Sequence, residues 1–66
     1  MPLIVNGKQH PVPAPATVLG LLQSKGLDPA TVVVELNTAI VQGPDFATTP
    51  LAPGDRLEIL SFVGGG

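Results

Sequence analysis

The sequence has no cysteine, tryptophan or tyrosine, and only one histidine and two phenylalanines in 66 residues. Without cysteine there is no disulfide, no thiolate zinc ligand and no thiol nucleophile. One imidazole beside five carboxylates leaves almost nothing for a His-based triad or a catalytic metal cluster. Charge is sparse too: 12% of residues are charged, three basic against five acidic, for a net charge of −2. That is no electrostatic footprint for nucleic acid or for an anionic membrane. No apolar run reaches the ~18 residues of a membrane-spanning helix. Met1-Pro2-Leu3-Ile4-Val5 runs straight into a turn, without the basic start of a secretory signal. The expectation is a cytoplasmic protein with no nucleic-acid or membrane partner. One small domain also leaves little room for a substrate pocket of ~300 Å³ or more. Function is expected at the surface or at the chain's ends.

What the sequence does have is apolar residues, 44% of the chain, punctuated by eight glycines and eight prolines. Leu3-Ile4-Val5 is a β-prone run closed by Asn6-Gly7, a strong two-residue hairpin signal because both turn positions need positive φ. The returning strand is predicted over Lys8 to Pro13. In that register Pro11 and Pro13 fall on the outward side, which makes this an edge strand guarded against further pairing. Leu3, Val5 and Val12 then share the core face with Lys8 and His10. Thr17 is placed to cap a helix in which Val18, Leu19, Leu21 and Leu22 line one face, with Gly26 expected just past its end. Gly20 weakens that helix, and close approach to a sheet is one reason for a glycine there. Val32–Leu36 reads as a strand, Asn37 as a turn residue and Ala39–Val41 as a short strand. Residues 43–50 read as a loop pinned by Phe46, and Pro53-Gly54 suits a type II turn. The last strand runs from Arg56 to Phe62 or Val63, ahead of Gly64-Gly65-Gly66. The fold class is therefore α+β, a mixed sheet of four to five strands with one main helix on one face and the other face open. Leu57 and Ile59 point inward. Arg56, Glu58, Leu60 and Phe62 face the open side, with Val33 and Glu35.

Few residues here carry chemistry. His10 reads as a structural or rim residue, since one imidazole alone makes no metal site. Asp55 and Glu58 read as solvated turn and sheet charges, because an acid–base pair needs a cleft. The five threonines have no neighbouring base to activate them. Leu60 and Phe62 have two readings, packing beneath a loop or, with Glu58, a partner-binding patch anchored by Phe62. Gly64, Gly65 and Gly66 also have two, a frayed tail or an arm slim enough to thread a narrow tunnel and present the Gly66 carboxylate. The domain division is 1–63 for the folded unit and 64–66 for the tail.

Taken in order, several segments resemble the ThiS family, sulfur carriers of thiamine biosynthesis with the ubiquitin-like β-grasp fold. They are Asn6-Gly7, the Thr17-Val18…Leu21-Leu22 helix, Val32-Val33-Val34-Glu35-Leu36-Asn37, Pro53-Gly54-Asp55-Arg56-Leu57-Glu58-Ile59 and Ser61-Phe62-Val63-Gly64-Gly65-Gly66. Each is weak alone, but together they span the chain. The Pro11-Val12-Pro13-Ala14-Pro15 stretch is richer in proline than the family pattern. The resemblance implies a co-substrate rather than an enzyme, with no bound cofactor. An adenylyltransferase using ATP and Mg²⁺ would adenylate the Gly66 carboxylate, with Gly64 and Gly65 threading its active site. A cysteine-derived persulfide would supply sulfur, and a thiazole synthase would take it from the resulting thiocarboxylate. Other readings stay open at this point: the small sulfur-carrying subunit of molybdopterin synthase, a ubiquitin-like protein modifier, or a β-grasp binding module with no carrier role.

Overall fold

The computed structural model describes residues 1–61. The Asn6-Gly7 turn joins β1 (Leu3–Val5) to β2 (Lys8–His10) in the expected register, Leu3 opposite His10 and Val5 opposite Lys8. β2 is shorter than the predicted Lys8–Pro13. The ladder stops at the Leu3–His10 pair, where β1 begins, and leaves Pro11 and Pro13 beyond the strand. The chain leaves the sheet there and reaches α1 (Val18–Ser24).

Seven residues do not hold a helix by propensity alone. Tertiary contacts complete α1, and its ends show how. Gly20 N–H donates to the Thr17 hydroxyl at 3.0 Å, while Val18 and Leu19 N–H donate to the carbonyls of Thr49 and Phe46. The first-turn donors that a helix leaves orphaned are thus met by a cap and by the distant 43–50 loop. Phe46 anchors that loop at 3% exposure. At the other end Gly26 has φ +70°, its N–H bonds the Gln23 carbonyl and Leu27 N–H bonds the Leu22 carbonyl. This is the Schellman pattern expected of Gly26 and Leu27.

Beyond a short 3₁₀ turn (Pro29–Thr31), β3 (Val32–Leu36) and β4 (Ala39–Val41) form a second two-residue hairpin. Asn37 and Thr38 take φ of 49° and 74°. After another 3₁₀ turn (Gly43–Asp45) and the Pro53-Gly54 turn, β5 (Arg56–Ser61) returns through the middle. The sheet order is β2-β1-β5-β3-β4, with β5 parallel to β1 and antiparallel to β3. The prolines' prediction of β2 at an edge is met. The result is the five-stranded mixed sheet of a ubiquitin-like β-grasp fold, with α1 covering one face.

Alternation decides what that face buries. Leu3, Val5, Val34, Leu57 and Ile59 meet Val18, Leu21 and Leu22 of the helix, all at 7% exposure or less. Gly20 is buried here, but its closest constraint is different from the expected sheet. A Cβ at Gly20 would collide with the Pro15 carbonyl oxygen, in the turn that precedes the helix. Among the described residues no buried side-chain nitrogen or oxygen lacks a hydrogen-bond partner.

Candidate functional site

The candidate residues gather on β5 and beyond its end. β5 has buried partners on one side and exposed residues on the other: Leu57 and Ile59 are 1% and 7% exposed, Leu60 is 63% exposed, and Arg56 and Glu58 are exposed. The predicted parity therefore holds for Glu58 and Leu60. Phe62, Gly64, Gly65 and Gly66, on which the anchor, the threading tail and the reactive carboxylate were placed, lie outside the described residues.

Two asparagine side chains hold β5 in place. β1 is only three residues long, and its parallel ladder with β5 ends where Asn6 N–H bonds the Leu57 carbonyl at 2.9 Å. The main chain then turns away into the hairpin. The Asn6 side chain takes over the ladder, its Oδ1 accepting from Ile59 N–H at 2.7 Å and its Nδ2 donating to the Ile59 carbonyl at 3.2 Å. Asn37 makes a related bridge on the other flank. Its N–H and Oδ1 meet the carbonyl and N–H of Arg56, and its Nδ2 donates to Asp55. The two asparagines of the chain thus brace the central strand from both sides. A side-chain amide resembles a peptide group, so it can continue a ladder when the backbone cannot. In the sequence only the turn propensity of these residues is visible.

The open face extends beyond Glu58 and Leu60. Val33 stands opposite Leu60, Glu35 opposite Glu58, and Ile40 opposite Glu35. Ile40, 58% exposed, belongs to this surface and was missed. Its signal was present in the two-residue Asn37-Thr38 turn, which sets the parity of β4.

The remaining candidates have structural partners. Asp55 accepts from Ala52 N–H at 2.8 Å and from Asn37 Nδ2 at 3.1 Å, clamping the Pro53-Gly54 turn. His10 is half-buried, and its Nδ1 lies 2.7 Å from the Pro11 carbonyl. It lines an open depression of about 310 Å³ with Val5, Asn6, Lys8, Gln9 and Lys25, at the sheet edge away from β4. This is at the lower end of ligand-site volumes. Among the described residues no three His, Cys, Asp or Glu side chains group to hold a metal ion. Nor is any helix among them long and apolar enough to cross a membrane.

The ThiS family model matches residues 3–66. The chain is 41% identical over 66 residues to a thiazole synthase of Paramagnetospirillum magneticum and 36% identical to one of Magnetococcus marinus. Both matches cover all of this chain but 20% of the relative, so the chain spans about a fifth of the length of the curated relatives it matches. The crystal structure of the thiamine biosynthesis protein ThiS from Geobacter metallireducens is similar over 100% of both chains, at 36% identity and a TM-score of 0.79. The hairpin, capped helix and central β5 read above thus belong to a shared architecture, and the chain belongs to the ThiS family, small carrier proteins of thiamine biosynthesis with the ubiquitin-like fold.

Proposed function

We propose that this chain carries sulfur as a thiocarboxylate on Gly66 and delivers it to a thiazole synthase. The observation that carries the reading is the family match through residue 66, which includes the three glycines, joined to end-to-end similarity with a solved ThiS. The chemistry explains why so small a protein suffices. A carboxylate is a poor electrophile, because its leaving group would be an oxide. An adenylyltransferase with ATP and Mg²⁺ joins the Gly66 carboxylate oxygen to the α-phosphorus and releases pyrophosphate. A cysteine-derived persulfide then attacks the acyl carbon, AMP leaves, and a thiol cleaves the resulting S–S bond to leave the thiocarboxylate. The sulfur anion is a nucleophile for thiazole assembly. The acids, bases and metal that these reactions need are supplied by the partners, in keeping with the single histidine and five carboxylates of this chain.

Gly64 and Gly65 suit the passage of a bare backbone into partner active sites. Glu58, Leu60 and Phe62 supply the docking surface beside them, and the protein works in the cytoplasm. The synthase partnership has independent support: two thiazole synthases contain, within one polypeptide, a stretch similar to this whole chain.

The reading requires a free carboxylate at Gly66, and intact-mass spectrometry tests it. The purified protein, incubated with the adenylyltransferase, ATP, Mg²⁺ and a persulfide donor, should gain the mass of one sulfur in place of one oxygen. The change should localise to Gly66. A chain whose mass ends at Gly66 yet never exchanges oxygen for sulfur would refute the carrier role.

A further inference from the structure

The register of the central strands sets two like charges against each other. Glu35 of β3 stands directly opposite Glu58 of β5, on the open face and in the interior of the sheet. Directly opposed side chains lie about 5 Å apart at Cβ, and like charges in that position oppose folding. Among the described residues, hydrogen bonds engage the carboxylates of Asp28 and Asp55 but neither glutamate. Arg56 shares the face, but it stands two residues before Glu58, beside Ile4 of β1, rather than between the two carboxylates. Around the pair the face is apolar: Leu60 against Val33 toward the end of β5, and Ile40 beyond Glu35.

We infer that the open face docks the thiazole synthase through a lysine or arginine of that enzyme seated between Glu35 and Glu58, with Leu60, Val33 and Ile40 closing around it. This rests on the partnership proposed above and specifies its chemistry. One cation turns a repulsive pair into two attractive contacts, and an apolar surround that excludes water strengthens both. A purely apolar partner surface would instead leave two carboxylates buried and unpaired, and an acidic one would add to the repulsion. Charge complementarity therefore calls for a cationic side chain on the occupant, and the proposed partnership names the synthase as its bearer.

The test is a calorimetric titration of the full chain into the purified thiazole synthase of the same organism, at low and moderate salt. Wild type should bind, more weakly as salt rises. Glu35→Gln and Glu58→Gln should each weaken binding about fivefold or more. The double variant should lose less than the product of the two, because both carboxylates act on one cation. Asp45→Asn, the same charge change in the loop against the helix N-terminus, should bind as wild type does. The double variant should also melt at the same or a higher temperature than wild type. Unchanged affinity in the double variant overturns the inference and leaves the partnership intact. Absence of binding by folded wild type removes the partnership, and the inference with it. A double variant that melts lower shows that the pair serves the fold, which also overturns the inference.

Discussion

Asn6 holds a left-handed turn position and, through its side chain, the far half of β5, and the two contributions are separable by substitution. Its φ is 51°, and its amide makes both hydrogen bonds to Ile59. Glycine accepts that φ but has no amide. Asn6→Gly should therefore cost about 1–3 kcal/mol, from two hydrogen bonds at roughly 0.5–1.5 kcal/mol net each. Alanine loses the amide and also strains the backbone by about 1–2 kcal/mol. Asn6→Ala should then fall roughly 2–5 kcal/mol below wild type. Each kcal/mol moves the melting temperature of so small a domain by about 4–8 °C, so the ranking is easily resolved. The sequence has no tryptophan or tyrosine, which makes far-ultraviolet circular dichroism in urea and heat the natural probe. Hydrogen exchange should single out the Ile59 amide as losing protection in both variants. An Asn6→Gly variant as stable as wild type would refute the ladder role of the side chain. Equal stability of the glycine and alanine variants would refute the backbone term.

The other expectations follow from burial and from the tail. Ile59→Ala should cost roughly 2–5 kcal/mol as a core truncation, whereas Leu60→Ala should stay within about 0.5 kcal/mol and weaken partner binding instead; thermal melts and titrations on both check the parity of β5. Gly20→Ala should destabilise by about 1–3 kcal/mol despite alanine's better helix propensity, because the new methyl meets the rigid Pro15 carbonyl; a more stable variant would show that the turn yields. Deleting Gly66, or extending the chain past it, should abolish thiocarboxylate formation with no change in melting temperature, and sulfur transfer by the deletion variant would end the assignment.

The partner surface shows where inference from sequence runs out. Parity along β5 was readable because period-2 alternation is local: once Leu57 and Ile59 are inside, Glu58 and Leu60 are outside. Which residues stand beside them was not readable. Register between β3 and β5 depends on pairing between segments some twenty residues apart, and it is this pairing that opposes Glu35 to Glu58 and Val33 to Leu60.

The same division runs through the whole molecule. Asn6-Gly7, Thr17, Gly26 and Pro53-Gly54 each act through their own φ or a bond to a near neighbour, so the hairpin, the helix limits and the last turn could be read from the chain alone. The two prolines at 11 and 13 marked β2 as an edge for an equally local reason, a missing donor. Tertiary structure decided what those local pieces close against. It brought the 43–50 loop to the helix N-terminus, where its carbonyls meet two donors that no neighbouring residue reaches. It gave Asn6 a second task on Ile59, 53 residues away. Hydrogen bonds and contacts of that range are specified by the packing of the finished sheet and helix, and a single sequence carries no direct trace of them.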